Sequence, residues 1–215
     1  MDQQACIVKT VSFVQKTLEN AEGGHDWWHI HRVWTNARRI AQTETCDLLV
    51  VELAALLHDI ADAKFHGGDE EVGPATAGKF LQSMDIDDET ITHVQQIIRH
   101  ISFKAGFDKP AFHSNELAIV QDADRLDAIG AIGIARAFSY GGFKGREIYN
   151  PSIEPNLAMS KEEYKNSASP SINHFYEKLL LLRDKMNTAT GKAMAQQRHE
   201  FMEQYLTQFY SEVKF

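Results

Sequence analysis

His58-Asp59 closes the apolar stretch Leu53-Ala54-Ala55-Leu56-Leu57, and an adjacent imidazole and carboxylate at such a place can both point at one divalent cation. Burying an ionised carboxylate beside a core is costly unless it is paired or binds a metal. Two other segments supply further donors. His29 lies upstream in His29-Ile30-His31-Arg32-Val33, and Asp124 lies downstream in Asp122-Ala123-Asp124-Arg125-Leu126-Asp127. Together they read as H…HD…D: His29, His58, Asp59 and Asp124. Two imidazoles and two carboxylates form a mixed N/O set, suited to Mn, Fe, Co, Ni, Zn or Mg rather than to soft Cu(I). Such a set leaves positions for water and a phosphate oxygen, as hydrolysis requires.

A single His-Asp pair means little, because His25-Asp26 is a second copy. Context separates them. His58-Asp59 ends an apolar helix, whereas His25-Asp26 follows Gly23-Gly24 and opens one. His25 shares a helical face with His29 four residues on, so it could approach the metal, but it is read as a supporting or structural group.

The elements that must position these residues are helical. Ile7, Val11, Val14 and Leu18 repeat at helical spacing, and Gly23-Gly24 is read as the stop. Asp26 and Asp47 are read as caps of the next two helices. Val33, Ala37 and Ile40 face inward on the first, and Leu49, Leu53, Leu57 and Ile60 on the second. Ile91, Val94, Ile98 and Ile101 mark another helix after Asp87-Asp88. One further helical stretch is expected from about 116 to 139, ending at Gly141-Gly142. Leu179, Leu182 and Met186 continue the pattern, and a last amphipathic helix runs from about 191 to 213. No alternating strand pattern and no internal repeat is evident. The expectation is an all-α, single-domain bundle over residues 1–215, with the metal-site core at about 24–140 and C-terminal helices at about 171–213. Between them, about 141–170 holds three of the five prolines and reads either as a surface loop or as a lid over the site.

Composition narrows the function. The 215 residues suffice for one sizeable core. With 22 Lys+Arg against 30 Asp+Glu, the net charge of −8 argues against tracking a nucleic-acid backbone. A local basic pocket for a small phosphorylated molecule, such as a nucleotide, remains compatible with it. The two cysteines have no ligand spacing and fit a reduced setting. The start lacks a signal-peptide pattern, and no apolar run approaches a membrane span. A cytoplasmic protein without a membrane partner is expected. The sequence is compatible with a homo-oligomer.

The order His29-Ile30-His31-Arg32-Val33, His58-Asp59 and Asp124-Arg125-Leu126-Asp127 resembles the HD-domain metal-dependent phosphohydrolases. Three longer segments look like the small bacterial branch that includes nucleoside-triphosphate pyrophosphohydrolases: residues 24–29, residues 58–64, and Gln121 through Gly130. The C-terminal Asn173-His174-Phe175-Tyr176-Glu177-Lys178-Leu179-Leu180 is also similar. The matches run from about 24 to 182. The resemblance implies an HD-type helical bundle with His29, His58, Asp59 and Asp124 as ligands of one divalent ion, Mn favoured. It selects Asp124 among three nearby carboxylates, because the family's last ligand precedes a basic residue, then Leu or an aromatic, then Asp. Asp127 is then a supporting group or a contact to ribose, and Asp122 a cap or surface residue.

Asp62 sits three residues after Asp59, so both face one side if the helix continues. Some members of the superfamily place an acid or His there, beside the attacking water, which makes Asp62 the expected general base; the alternative is a carboxylate paired with Lys64. Lys64 and Arg125 are expected on phosphate oxygens, or else as solvated cations. His100 is expected as a phosphate donor, a second metal ligand or a core-edge histidine. His174 and Lys178 share a helix face and, by resemblance, close over substrate. Trp27 and Trp28 are read as packing rather than as base-stacking groups. The expected activity is hydrolysis of (deoxy)nucleoside triphosphates to monophosphate and pyrophosphate. The alternatives are a nucleoside monophosphate phosphatase, a (cyclic) phosphodiesterase, or a non-enzymatic nucleotide- or metal-binding regulator.

Overall fold

Short polar residues start the helices where the sequence places them. In the computed structural model, which describes residues 2–19, 21, 25–61, 69–101, 112–158 and 169–213, Asp26 caps α2 (Trp27–Ala41) by accepting from the His29 amide. Asp47 caps α3 (Leu48–Leu57), accepting from Leu49 and Val50. Asp87 caps α5 (Asp88–His100) through Thr90. Each carboxylate satisfies amides that a helix start leaves without partners. The described residues form helices and no strand, as expected. They fall into two compact units, Met1–Asp124 and Arg125–Phe215.

In the first unit α3 is the centre. It packs against α1 (Gln3–Thr17), α2 and α5. Val50, Val51 and every residue from Leu53 to Leu57 are buried, so the helix is apolar all round rather than on one face. That explains why Leu53 and Leu57 share the core with residues off their face. Val33, Ala37 and Ile40 of α2 are fully buried, as are Val94 and Ile97 of α5. Trp34 donates to Glu52 at 3.0 Å, fixing α2 on α3. α1 ends at Thr17 with Leu18 as its cap, several residues before the glycines expected to stop it.

Sequence reasoning missed α4 (Val72–Gln82), whose Gly73, Pro74 and Gly78 look like breakers. Pro74 lies in the first turn, where its missing N–H costs nothing. Gly78 lies against Gln95 of α5, and a Cβ there would collide with the Gln95 amide. The small residues therefore allow close helix packing.

The single helix expected over 116–139 is two. α6 (Asn115–Asp127) and α7 (Gly130–Phe143) are broken at Ala128-Ile129. Gly130 has φ +74°, a left-handed conformation that favours glycine. In the second unit, α9 (Ala189–Val213) packs on α7 and on a 3-10 helix over Leu179–Lys185, which follows the short α8 (Asn173–Glu177). Leu179, Leu182 and Met186 are buried there, so the apolar pattern was right and the helix type was not. α7 runs to Phe143, so the expected loop begins later, in turns at 144–158; residues 159–168 lie outside the described residues.

Candidate metal centre

Three helices of the first unit bring the donors together. α2 supplies His29 from its first turn, pinned by the Asp26 cap at 2.9 Å. α3 ends at Leu57, and His58 and Asp59 follow in the turn. α6 supplies Asp124. Its start is clamped to the entry of α3, where the Asp47 amide donates to Glu116 at 2.9 Å and the Asn115 amide group donates to the Thr45 carbonyl at 2.8 Å. Gln121, one turn before Asp124, donates to the His100 carbonyl at 2.8 Å.

The donor atoms converge. His29 Nε2 and His58 Nε2 lie 3.3 Å apart. Asp124 Oδ1 is 3.7 Å from His29 Nε2 and 4.0 Å from His58 Nε2. Asp59 Oδ2 is 4.0 Å from His29 Nε2. His29, His58 and Asp59 each offer a ligand atom within 4.8 Å of the others. Two aromatic nitrogens facing one point beside two carboxylate oxygens fit a hard or borderline divalent cation. The side chains of His29 and His58 are 3% and 5% exposed while that of Asp124 is 38% exposed, so the centre opens to solvent on the Asp124 side.

Protonation suits that role. His58 Nδ1 lies 2.9 Å from the Ala55 carbonyl. That oxygen can only accept, so Nδ1 carries the hydrogen and Nε2 presents its lone pair to the centre. Burial lowers the pKa of His58, outweighing the Asp124 and Asp59 carboxylates that oppose it. Neutral imidazole, the ligating form, therefore prevails near neutral pH. Burial alone would raise Asp59. The hydrogen bond with His25 Nδ1 and the charges of His58, His25 and His29 outweigh it and hold Asp59 at about 2. His25 is thus the supporting group its spacing suggested, holding Asp59 rather than joining the close group of donors.

The other site residues divide. Asp62 and Lys64 lie outside the described residues. His100 is half-buried, its Nδ1 2.8 Å from the Gln96 carbonyl and its ring tilted against Phe112 at 5.7 Å. Arg125 donates to the Lys185 carbonyl at 2.5 Å. Asp127 is buried and pairs with Arg136 at 2.5 Å. Asp122, expected as a cap or surface residue, is fully buried within α6. Trp28 is not core packing: it is 62% exposed, with its ring edge-on to His31 at 5.9 Å. His174 and Lys178 belong to the second unit, in α8 and just after it. Cys6 and Cys46 are thiols rather than a disulfide. No helix among the described residues is long and apolar enough to cross a membrane.

Comparison with known proteins places this geometry. A family profile described as HD domain matches residues 27–129, which contain His29, His58, Asp59 and Asp124. The chain is 36% identical to the uncharacterized protein YpgQ of Bacillus subtilis over 206 residues, covering 94% of this chain and 91% of that protein. A crystal structure described as an HD-superfamily hydrolase from Bacillus thuringiensis is 43% identical, covers 98% of this chain and 97% of its own, and superposes with a TM-score of 0.78. YpgQ solved in complex with ADP is 36% identical, covers 99% and 97%, and also superposes with a TM-score of 0.78. With identity of this extent over nearly the whole length, the chain belongs to the HD superfamily.

Proposed function

We propose that this protein is a divalent-metal-dependent phosphohydrolase that converts (deoxy)nucleoside triphosphates into nucleoside monophosphate and pyrophosphate. The observation that carries the reading is the close grouping of His29, His58 and Asp59, with Asp124 Oδ1 within 4.0 Å of both imidazoles. The similar B. thuringiensis protein, described as a hydrolase, and the ADP complex of YpgQ support the reaction class and the nucleotide.

When bound, a divalent ion, Mn favoured, would lower the pKa of a water and polarise a phosphoryl oxygen. The chain's own groups do the rest. His58, its Nδ1 held by Ala55, keeps its lone pair directed inward. Asp59, ionised above about pH 2, keeps a fixed negative charge at any working pH, and His25 orients it. Asp62 takes the proton as water attacks the α-phosphorus. The bond from that phosphorus to the bridging oxygen breaks, and pyrophosphate leaves with the electron pair. Lys64 offsets the shifting phosphate charge. His100 donates to phosphate.

The test is product analysis of a nucleotide panel with Mn-loaded protein, in isotope-labelled water. Labelled monophosphate or pyrophosphate, without orthophosphate as primary product, is expected. Orthophosphate and a diphosphate would place attack at the γ-phosphorus and refute the pyrophosphohydrolase reading. Absence of any metal-dependent turnover would leave a binding regulator.

A further inference from the structure

Asp59 and Asp124 are held by different means. Asp59 has a hydrogen bond with His25 that fixes its carboxylate locally. Among the described residues, the Asp124 side chain meets the imidazoles of His29 and His58, at 3.7 and 4.0 Å, and it is 38% exposed. Those two imidazoles are its fellow donors and not a support behind it. The place of Asp124 is therefore set by where α6 lies, and any shift of that helix passes to the carboxylate.

The tie that fixes α6 lies at its other end. Glu116 stands eight residues before Asp124, about 12 Å along the helix. Its side chain is 12% exposed and accepts from the Asp47 amide at 2.9 Å. Asp47 is the cap of α3, and α3 leads into His58 and Asp59. The two helices thus meet twice, at Glu116 and at the donors. A second group braces the tie. Ser114 Oγ accepts from the Leu117 amide at 3.0 Å, and its hydrogen is directed at the Glu116 carboxylate. His93 Nε2, from α5, lies 2.9 Å from Ser114 Oγ and 3.4 Å from Glu116 Oε2. With the hydroxyl hydrogen on Glu116, Nε2 is the donor. Hydroxyl and carboxylate meet the same ring nitrogen, so this is not a nucleophile–base–acid relay, in which the acid holds the other nitrogen. Burial would raise the pKa of Glu116, but the amides of Asp47 and Glu116, the Ser114 hydroxyl and the His93 charge outweigh it and lower it. Glu116 is an ionised, nearly enclosed acceptor, with no metal-site donor among its partners.

Taking Asp124 as a metal ligand, as in the proposed function, we propose that Glu116 is a positioning residue that sets the place of Asp124 against His58 and Asp59, with His93 as its brace. It acts through the rigid length of α6 and touches neither metal nor substrate. Outer groups that orient ligands in this way typically change metal affinity by about tenfold or more when removed.

The test measures manganese binding alone, on the full-length protein, by the free-ion signal in electron paramagnetic resonance. Glu116→Asp keeps the charge and shortens the arm, and should weaken binding about tenfold. Glu116→Gln keeps both reach and acceptor and should retain most of the affinity. The deciding measurement is a double-mutant cycle: in an Asp124→Ala background, Glu116→Asp should cause no further loss, because the ligand it positions is gone. Should Glu116→Asp not fold, His93→Phe keeps the ring and removes the brace; it should give a smaller loss that also vanishes in Asp124→Ala. Unchanged affinity in folded Glu116→Asp, or in His93→Phe used in its place, overturns the proposal. So does a loss that persists undiminished beside Asp124→Ala, which would mark general loosening of the fold, or a loss in Glu116→Gln as large as in Glu116→Asp. Wild-type affinity in Asp124→Ala alone would remove Asp124 from the ligand set and the positioning role with it, a result distinct from the others. Turnover enters none of these measurements, so the substrate reading can fail independently.

Discussion

Asp59 is the residue on which the centre depends most. It is the one carboxylate of the set held at about 2 by a hydrogen bond with a neighbouring imidazole. Asp59→Ala is expected to abolish both metal retention and turnover; full metal occupancy in that variant by elemental analysis would contradict the assignment. Asp62→Asn is expected to keep the metal and lower turnover about 100-fold, the usual scale for a lost general base; an unchanged turnover number at saturating substrate would make Asp62 structural. At this scale the sequence was informative where chemistry needs a particular residue type. That His29, His58, Asp59 and Asp124 lie near one another could be read because few side chain types are suited to ligate metals. The buried state of Asp122 could not, since a carboxylate on a helix carries no local mark of which face is covered. Nor could the exposure of Trp28, because a large apolar residue usually signals core.

Helix starts were legible because a cap is a local event: Asp26, Asp47 and Asp87 each bond amides two or three residues on. Helix ends and breaks were not. The residues on both sides of the α6–α7 break keep helical periodicity, and only Gly130 marks it. Its φ of +74° and the Arg198 side chain, 3.0 Å from where a Cβ would sit, define the corner. Gly130→Ala is therefore expected to destabilise the protein by about 1–2 kcal/mol, the left-handed penalty for an L-residue. Urea unfolding measures it, and Gly130→Asn should recover part of the loss. α4 was hidden for a different reason. Its glycines and proline disfavour an isolated helix, and tertiary packing against α5 overrides that preference.

For the whole molecule, acid stability follows from histidines held neutral. His174 has an ordinary value of 6.5 and a folded value of about 3. The unfolded chain takes up the proton first, so stability is full above pH 6.5 and declines as pH falls toward 3. Between pH 7 and pH 5 this residue accounts for a loss of roughly 1–2 kcal/mol. His174→Gln should flatten that part of the urea-midpoint profile; an unchanged slope would mean the imidazole is solvated. His58, lowered in the same direction, acts with it. The all-helical class was readable from periodicity across the chain, whereas the division at Asp124 was not, because the boundary falls inside α6 rather than in a linker. One last consequence belongs to α3, whose residues Leu53 to Leu57 are all fully buried. Its amides have no route to solvent short of opening the core of its unit, so they should be among the slowest to exchange with deuterium. His58 and Asp59 stand directly on the end of that segment. The lifetime of the ligand geometry is then set by cooperative unfolding, and the two donors wait in place between turnovers.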